Sequence, residues 1–497
     1  MTSRTQPAPD VPRKVLSAAG GVNRSLEAME YAVRGQLVLR AEALARQLSR
    51  RVPDSQPSPS ESPLPFHSVV YCNIGNPQSV GQKPISFVRQ VLAAIMCPTL
   101  IAPDAPAVFP SDVVQRARDV LAASHGVGAY SESRGLPFVR ARVAKAIHRR
   151  DGFPSHPDNI FLSNGASDSV KVLLSMLLRT PTDGVMIPIP QYPLYSASMT
   201  ALNGAQVGYY LDEDNAWGLG VDELQLRLDE ARGRGITVRA LVVINPGNPT
   251  GQVLSEQNLK DIIHFCEREN LVIMADEVYQ KNVYTEEKPF VSFKKVVSEL
   301  RSQVELASFH SVSKGVMGEC GLRGGYMEVL NMDQYVNELI YKLFSVSLCS
   351  NIVGQVAVDL MMTPPEQGDP SYELYNSEVT NIYESLRRKA IAMSDGLNAF
   401  EGVRCNPSEG AMYLFPRITI PPAAVTEAKN LGLASADVMY CLEMLEATGI
   451  CVVPGSGFGQ RKGTYHFRTT FLPSEKEIPG VIDRMHRFHQ QFMLKYS

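Results

Sequence analysis

Lys314 stands in the string Ser311-Val-Ser313-Lys314-Gly, shortly after an apolar run that ends at Phe309. A lysine between small residues, just past a buried strand, is a candidate desolvated amine. Desolvation disfavours the ammonium form and leaves a nucleophile for an aldehyde. Arg323, nine positions on, offers a guanidinium for a phosphate dianion. A solvated surface lysine is the commoner case, so the spacing alone does not decide.

Four other apolar runs also end in polar clusters. Asp276-Glu-Val-Tyr279 follows Leu271–Ala275. A carboxylate there can pair with a pyridinium nitrogen and keep the ring an electron acceptor, or it can simply cap a helix. Asn245-Pro-Gly-Asn248-Pro-Thr-Gly follows Ala240–Ile244 and is a tight loop presenting the Asn248 amide. Ser163-Asn-Gly-Ala166-Ser167-Asp lies between a strand and a helix. Its small residues let backbone N–H groups approach a phosphate, or serve as an ordinary capping turn. Tyr192, in Pro-Gln-Tyr192-Pro, is placed to stack on a planar ring or to fill a loop core. Gly455-Ser-Gly-Phe-Gly-Gln460 lacks the third glycine of a dinucleotide loop and is read as a flexible turn near the site.

These residues need a scaffold that brings strand ends together. Short apolar runs at 159–162, 184–189, 206–210, 240–244, 272–275 and 305–309 alternate with helical patterns at 167–178, 221–232 and 256–270. That alternation predicts an α/β fold with a mostly parallel buried sheet and helices on both faces. A long helical stretch at 372–400 precedes further strands at 410–415, 450–453 and 465–470, so a smaller α+β domain is expected. The expected organisation is a tail and arm over 1–65, with a helix at 26–48 and a Pro/Ser-rich loop at 51–65. The small domain opens over 66–109, a large cofactor-binding domain covers 110–350, helices bridge 351–400, and the small domain closes over 401–497.

The bulk numbers fit an enzyme of small molecules. The 497 residues are 44% hydrophobic and 20% charged, with a net charge of −3. No nucleic-acid or anionic-membrane partner is suggested, and no apolar stretch reaches the length of a membrane span. Eight scattered cysteines form no Cys-x-x-Cys pair, so neither a metal site nor a disulfide frame is expected. Residues 1–25 carry four basic groups against one acid, but Pro7, Pro9 and Pro12 oppose an amphipathic targeting helix. Cytosol is therefore expected ahead of mitochondrion.

Taken in order, these motifs resemble the fold-type I, class I/II pyridoxal-phosphate aminotransferases. The strings IPIPQYPLYSAS, VINPGNPTGQ, ADEVYQ, ASFHSVSKG and GICVVPGSGFGQRKGTYHFR look like the alanine aminotransferase branch of that family. The resemblance implies that Lys314 holds pyridoxal phosphate as a Schiff base and shuttles the proton of transamination. It implies that Asp276 pairs with the ring nitrogen, that Asn248 and Tyr279 bond the ring 3′-oxygen, and that Tyr192 stacks on the ring. Ala166, Ser167, Ser311, Ser313 and Arg323 would bind the phosphate, and Tyr130 would reach the phosphate of a neighbouring subunit in a homodimer. Arg468 would grip the substrate α-carboxylate and Gly75 would close over the substrate.

The implied reaction is ping-pong transfer from L-alanine to 2-oxoglutarate, giving pyruvate and L-glutamate. A glutamate:glyoxylate aminotransferase is the near alternative. An aminocyclopropanecarboxylate-synthase-like lyase and a non-enzymatic regulator of the same fold stand further off. No second arginine for a distal substrate carboxylate is evident in the sequence.

Overall fold

The structure is a computed structural model that describes residues 22–31, 35–50 and 64–497. The expected tail over 1–20 and most of the Pro/Ser-rich loop fall outside the described residues.

Seven strands form the central sheet: β1 (Ile160–Ser163), β2 (Asp183–Ile189), β3 (Ala205–Tyr210), β4 (Thr237–Ile244), β5 (Val272–Asp276), β6 (Leu306–Ser311) and β7 (Gly325–Leu330). Their order is β1-β7-β6-β5-β4-β2-β3. All are parallel except β7, which runs antiparallel to both β1 and β6. β7 lies beyond the predicted strands, because Gly325-Tyr-Met-Glu-Val-Leu follows the Arg323-Gly-Gly turn and carries an ionisable Glu328 at its centre. That glutamate is buried and paired with the buried Lys294 at 2.8 Å.

The sheet is apolar on both faces, as parallel strands covered by helices require. Ala240, Leu241 and Val242 of β4 and Ile273, Met274 and Ala275 of β5 are fully buried. Each of the larger side chains, Leu241, Val242, Ile273 and Met274, contributes about 1.5–3 kcal/mol through loss of water contact. Helices start where hydroxyl caps stand: the Ser255 side chain accepts from Asn258 N to open Glu256–Glu269, and Asn270 ends that helix in the left-handed region.

A second apolar cluster is built from the chain's far end together with residues near 66–72. Its central strand, β8 (Tyr465–Thr470), pairs with Tyr413–Leu414, Arg417–Ile418 and Val453–Pro454. The predicted strand 450–453 divides in two. Ile450–Cys451 pairs with Val70–Tyr71, while Val453–Pro454 turns to β8, so the chain changes partner at Val452. The run 410–415 contracts to Tyr413–Leu414, since Ala411 takes a φ of 60° that no strand accommodates.

Helix Tyr372–Asn398 packs Tyr375 and Val379 on the large sheet's helices and Leu386, Ala390 and Met393 in the terminal cluster. Helix Ser86–Met96 packs with Ser111–Ala122, Pro137–Asp151 and Ile352–Met362. The helix expected over 26–48 is two helices, Arg24–Glu27 and Gln36–Ser49, the second opening at Gly35 in extended conformation. No described helix is long and apolar enough to cross a membrane.

Candidate active site

Because β1, β2, β4, β5 and β6 run the same way, their carboxyl ends share one edge of the sheet. A cavity of about 460 Å³ opens there. It is lined by Gly75, Ala166, Ser167, Tyr192, Asn248, Asp276, Tyr279, Ser311, Ser313, Lys314, Arg323 and Arg468. Residues spread over nearly four hundred positions thus meet in one space.

Lys314 Nζ donates to the Gly75 carbonyl at 3.0 Å and lies 5.9 Å from the Tyr279 ring centre. Asp276 ends β5 as a buried carboxylate, and no helix follows it, which removes the capping alternative. Burial pushes its pKa up to about 6, although the hydrogen bond from Tyr195 Oη to Oδ2, at 2.9 Å, pulls downward. Tyr195 is fully buried and stands one helical turn beyond Tyr192. Sequence reading assigned it nothing, and its spacing from Tyr192 was the available signal.

Arg468 is 1% exposed. Its Nη1 donates to Asn248 Oδ1 at 3.1 Å and its Nη2 to the Asn73 carbonyl. The Tyr413 and Phe458 rings face its guanidinium at 4.4 and 4.6 Å, and its Nε has no partner. No carboxylate among the described residues pairs with it. A buried cation held only by neutral groups is costly unless an anion completes it, by several kcal/mol.

At the cavity's other end, Arg323 takes a φ of 54°, a conformation that places its Nη2 on the Asn164 carbonyl at 2.7 Å and 3.5 Å from Ser167 Oγ. Helix Ala166–Leu177 begins there, with Gly165 at φ 89° before it. A Cβ at Gly165 would lie 2.6 Å from Arg323 Nη2, so only glycine lets arginine and helix end converge. Ser313 Oγ is buried without a partner, whereas Ser311 Oγ donates to the Gly324 carbonyl at 3.1 Å. A guanidinium, free helix amides and an unpartnered hydroxyl make a site for a phosphate. Between this end and Arg468 the same cavity is lined by Tyr192, Asn248, Asp276 and Tyr279. The residues present therefore fit pyridoxal phosphate.

Tyr130 departs from the group. It is 77% exposed and lines no part of the cavity. The Gly455–Gln460 segment, expected to be flexible, is a short 3-10 helix over Gly455–Phe458 with Phe458 buried. Asp437 Oδ2 holds it by accepting from Ser456 N at 2.6 Å and Gln460 Nε2 at 3.1 Å. Tyr31 and Tyr413 enter the cavity unforeseen: Tyr31 Oη lies 2.7 Å from Tyr192 Oη, and Tyr413 Oη 2.9 Å from Tyr279 Oη. Among the described lining residues the cations are Lys314, Arg323 and Arg468, so a second substrate-carboxylate arginine is not among them.

A family model for aminotransferases of class I and II matches residues 104–485. A probable mitochondrial alanine aminotransferase of Dictyostelium discoideum is 52% identical over 94% of this chain and 88% of its own length. Glutamate–glyoxylate aminotransferase 1 of Arabidopsis thaliana is 48% identical over 96% of both chains. In fold, the alanine aminotransferase of Pyrococcus furiosus superposes with a TM-score of 0.73 at 23% identity, covering 95% of this chain and all of that one (100%). With strand ends, buried guanidinium and sequence in agreement, the chain belongs to the class I and II aminotransferase family.

Proposed function

We propose that this aminotransferase uses pyridoxal phosphate on Lys314 to move the amino group of L-alanine to 2-oxoglutarate, yielding pyruvate and L-glutamate. The observation that carries the reading is the single cavity in which Lys314, Asp276 and the otherwise unpaired Arg468 converge.

Pyridoxal phosphate, when bound, supplies an aldehyde for the amino group and a ring that accepts electrons from the substrate carbon. Lys314 Nζ would hold the aldehyde carbon and, as a free amine, would carry the proton at substrate Cα. Asp276, kept from water, would keep a proton on the ring nitrogen, and Tyr195 holds Asp276. Asn248 and Tyr279 would donate toward the ring oxygen, and Tyr192 would cover a ring face. Arg323, Ser313 and the Ala166 and Ser167 amides would anchor the phosphate, whereas Ser311, whose hydroxyl proton goes to the Gly324 carbonyl, would have to turn to join them. Arg468 binds the α-carboxylate through its two terminal nitrogens, and Gly75 lies over the substrate. A side chain at Gly75 would collide with the Tyr413 hydroxyl and lie 3.2 Å from Lys314 Nζ, so the closing segment needs glycine.

The working unit is proposed to be a homodimer in which Tyr130 serves the partner's phosphate site. Val346 and Leu348, just before Ser350 in the chain, are exposed at 80% and 52%. Gln355 ties this segment to the one bearing Tyr130 by donating to Ser131 Oγ and the Ser350 carbonyl, at 3.0 and 2.9 Å. Cytosolic residence is proposed with mitochondrion as alternative, the Dictyostelium relative being named mitochondrial.

The aromatic walls Tyr31, Tyr192 and Tyr413 suit a small side chain, and the alanine-named relatives agree. The Arabidopsis relative supports glutamate:glyoxylate transfer as the second reading. Single-turnover conversion of the bound cofactor to its amine form, with alanine, glutamate, glycine and aspartate in turn, separates them. Alanine and glutamate should react, releasing pyruvate and 2-oxoglutarate, and the amine form should then convert pyruvate and 2-oxoglutarate back to the amino acids but leave glyoxylate. Preferential turnover of glyoxylate would overturn the alanine assignment. Borohydride trapping should label Lys314, and label on another lysine would overturn the cofactor's placement.

A further inference from the structure

We infer that Tyr413 is a positioning residue whose hydroxyl donates to Tyr279 and thereby frees the Tyr279 proton for the cofactor's ring oxygen. The inference rests on the proposed cofactor site and adds a residue to it.

The argument begins at Arg468. A guanidinium only donates, so the Asn248 atom that faces its Nη1 at 3.1 Å is the amide oxygen. The Asn248 amide nitrogen then faces Tyr279 Oη, at a long 3.5 Å, and there it can only donate. Tyr279 Oη has one more neighbour, Tyr413 Oη at 2.9 Å. One of the two phenols is the donor, and their surroundings decide which.

Tyr413 is fully buried against Arg468, a cation that persists when Lys314 carries the cofactor. Its ring lies 4.4 Å from the Arg468 guanidinium, and its hydroxyl projects toward Gly75, whose carbonyl takes the Lys314 amine. Tyr279 faces Tyr413, Asp276 and Tyr192, with Lys314 Nζ 5.9 Å from its ring centre. Negative charge on oxygen is thus better tolerated at Tyr413 than at Tyr279. Burial by itself raises the Tyr413 phenol, but Lys314, Arg468 and the Tyr279 hydrogen bond bring it below its ordinary range, with Cys320 opposing. Burial and the neighbouring Tyr413 hold Tyr279 well above that range. The more acidic phenol donates.

Tyr279 Oη therefore accepts from Asn248 and Tyr413, which uses both of its lone pairs. Its single proton has no acceptor among the described residues and points into the cavity, where the ring oxygen would lie. Linked donors polarise one another, so Tyr413 strengthens the Tyr279 donation. A stronger bond to an anionic ring oxygen disfavours protonation of the lysine-derived nitrogen beside it. Tyr413 therefore lowers the pH at which the bound cofactor titrates, and it does so through Tyr279.

The test is a pH titration of the visible absorbance of the lysine-bound cofactor in the wild type, Tyr413→Phe, Tyr279→Phe and the double variant. Tyr413→Phe should raise the midpoint by roughly half a pH unit, the scale of one cooperative hydrogen bond. Tyr279→Phe should raise it further, and the double variant should coincide with Tyr279→Phe. An unmoved midpoint in Tyr413→Phe, a full additional shift in the double variant, or a folded Tyr413→Phe protein that no longer holds cofactor would each overturn the inference alone. A wild type showing no titrating absorbance would overturn the cofactor reading with it.

Discussion

Arg468 heads the large side chains that are fully buried, and its surroundings are two rings, an amide oxygen and a carbonyl. That setting suits a planar carboxylate and suits a point charge poorly. Arg468→Lys should raise the KM for alanine by roughly a hundredfold, the scale of about 3 kcal/mol for a charge-assisted hydrogen bond, with cofactor absorbance unchanged. Steady-state kinetics check it. Asp276 supplies the pH dependence. Its folded-state pKa is raised to about 6 by burial, so in the cofactor-free protein the carboxylate is lost as pH falls through that value. Cofactor affinity should weaken below about pH 6. Tyr195 lowers that pKa by donating, so Tyr195→Phe should move the weakening to higher pH, as equilibrium binding across pH would show. The spacing of Tyr195 from Tyr192 was visible in the chain. Its acceptor, eighty-one positions away, was not.

At the scale of elements, the strand ends do the positioning. β4, β5 and β6 were legible because each is an apolar run closed by a polar string, and their boundaries moved by only a few residues. β7 was not, since Glu328 interrupts its apolar pattern and it takes the buried Lys294 and the Ser155 hydroxyl, both far off in sequence, to make that glutamate tolerable. The turn before helix Ala166–Leu177 is sensitive to a single methyl group. Gly165→Ala combines a φ of 89° with a Cβ 2.6 Å from Arg323 Nη2. Strain of about 1–3 kcal/mol at such a position corresponds to roughly fivefold to a hundredfold in affinity. Equilibrium dialysis of pyridoxal phosphate should show that loss, with the secondary-structure signal retained.

For the whole molecule, the cavity joins two packing clusters. Lys314 and Asp276 come from the central sheet, Arg468 and Tyr413 from the terminal strands, and helix Tyr372–Asn398 packs on both. The exposed Val346, Leu348 and Tyr130 place the proposed partner on the Arg323 side, because Asn351 beside them bonds Asn164 and the Arg323 carbonyl, at 3.0 and 2.9 Å. Leu348→Asp should shift the sedimentation profile toward monomer, since a charge in a dimer contact is left without water or partner. Cofactor affinity should fall with it. A monomeric variant with full affinity would separate Tyr130 from the site.

The sequence by itself determined the sheet's parallel core and marked Lys314 and the ordered groups around it as candidates, because each is a local string at a strand end. It could not show that Arg468 is buried without an anion, that Tyr195 holds Asp276, or that Tyr413 stands between Tyr279, Lys314 and Arg468. Those relations depend on which distant segments the sheet order and β8 pairing bring within hydrogen-bond reach. A side chain's charge environment is set by neighbours in space, and only the tertiary structure supplies them.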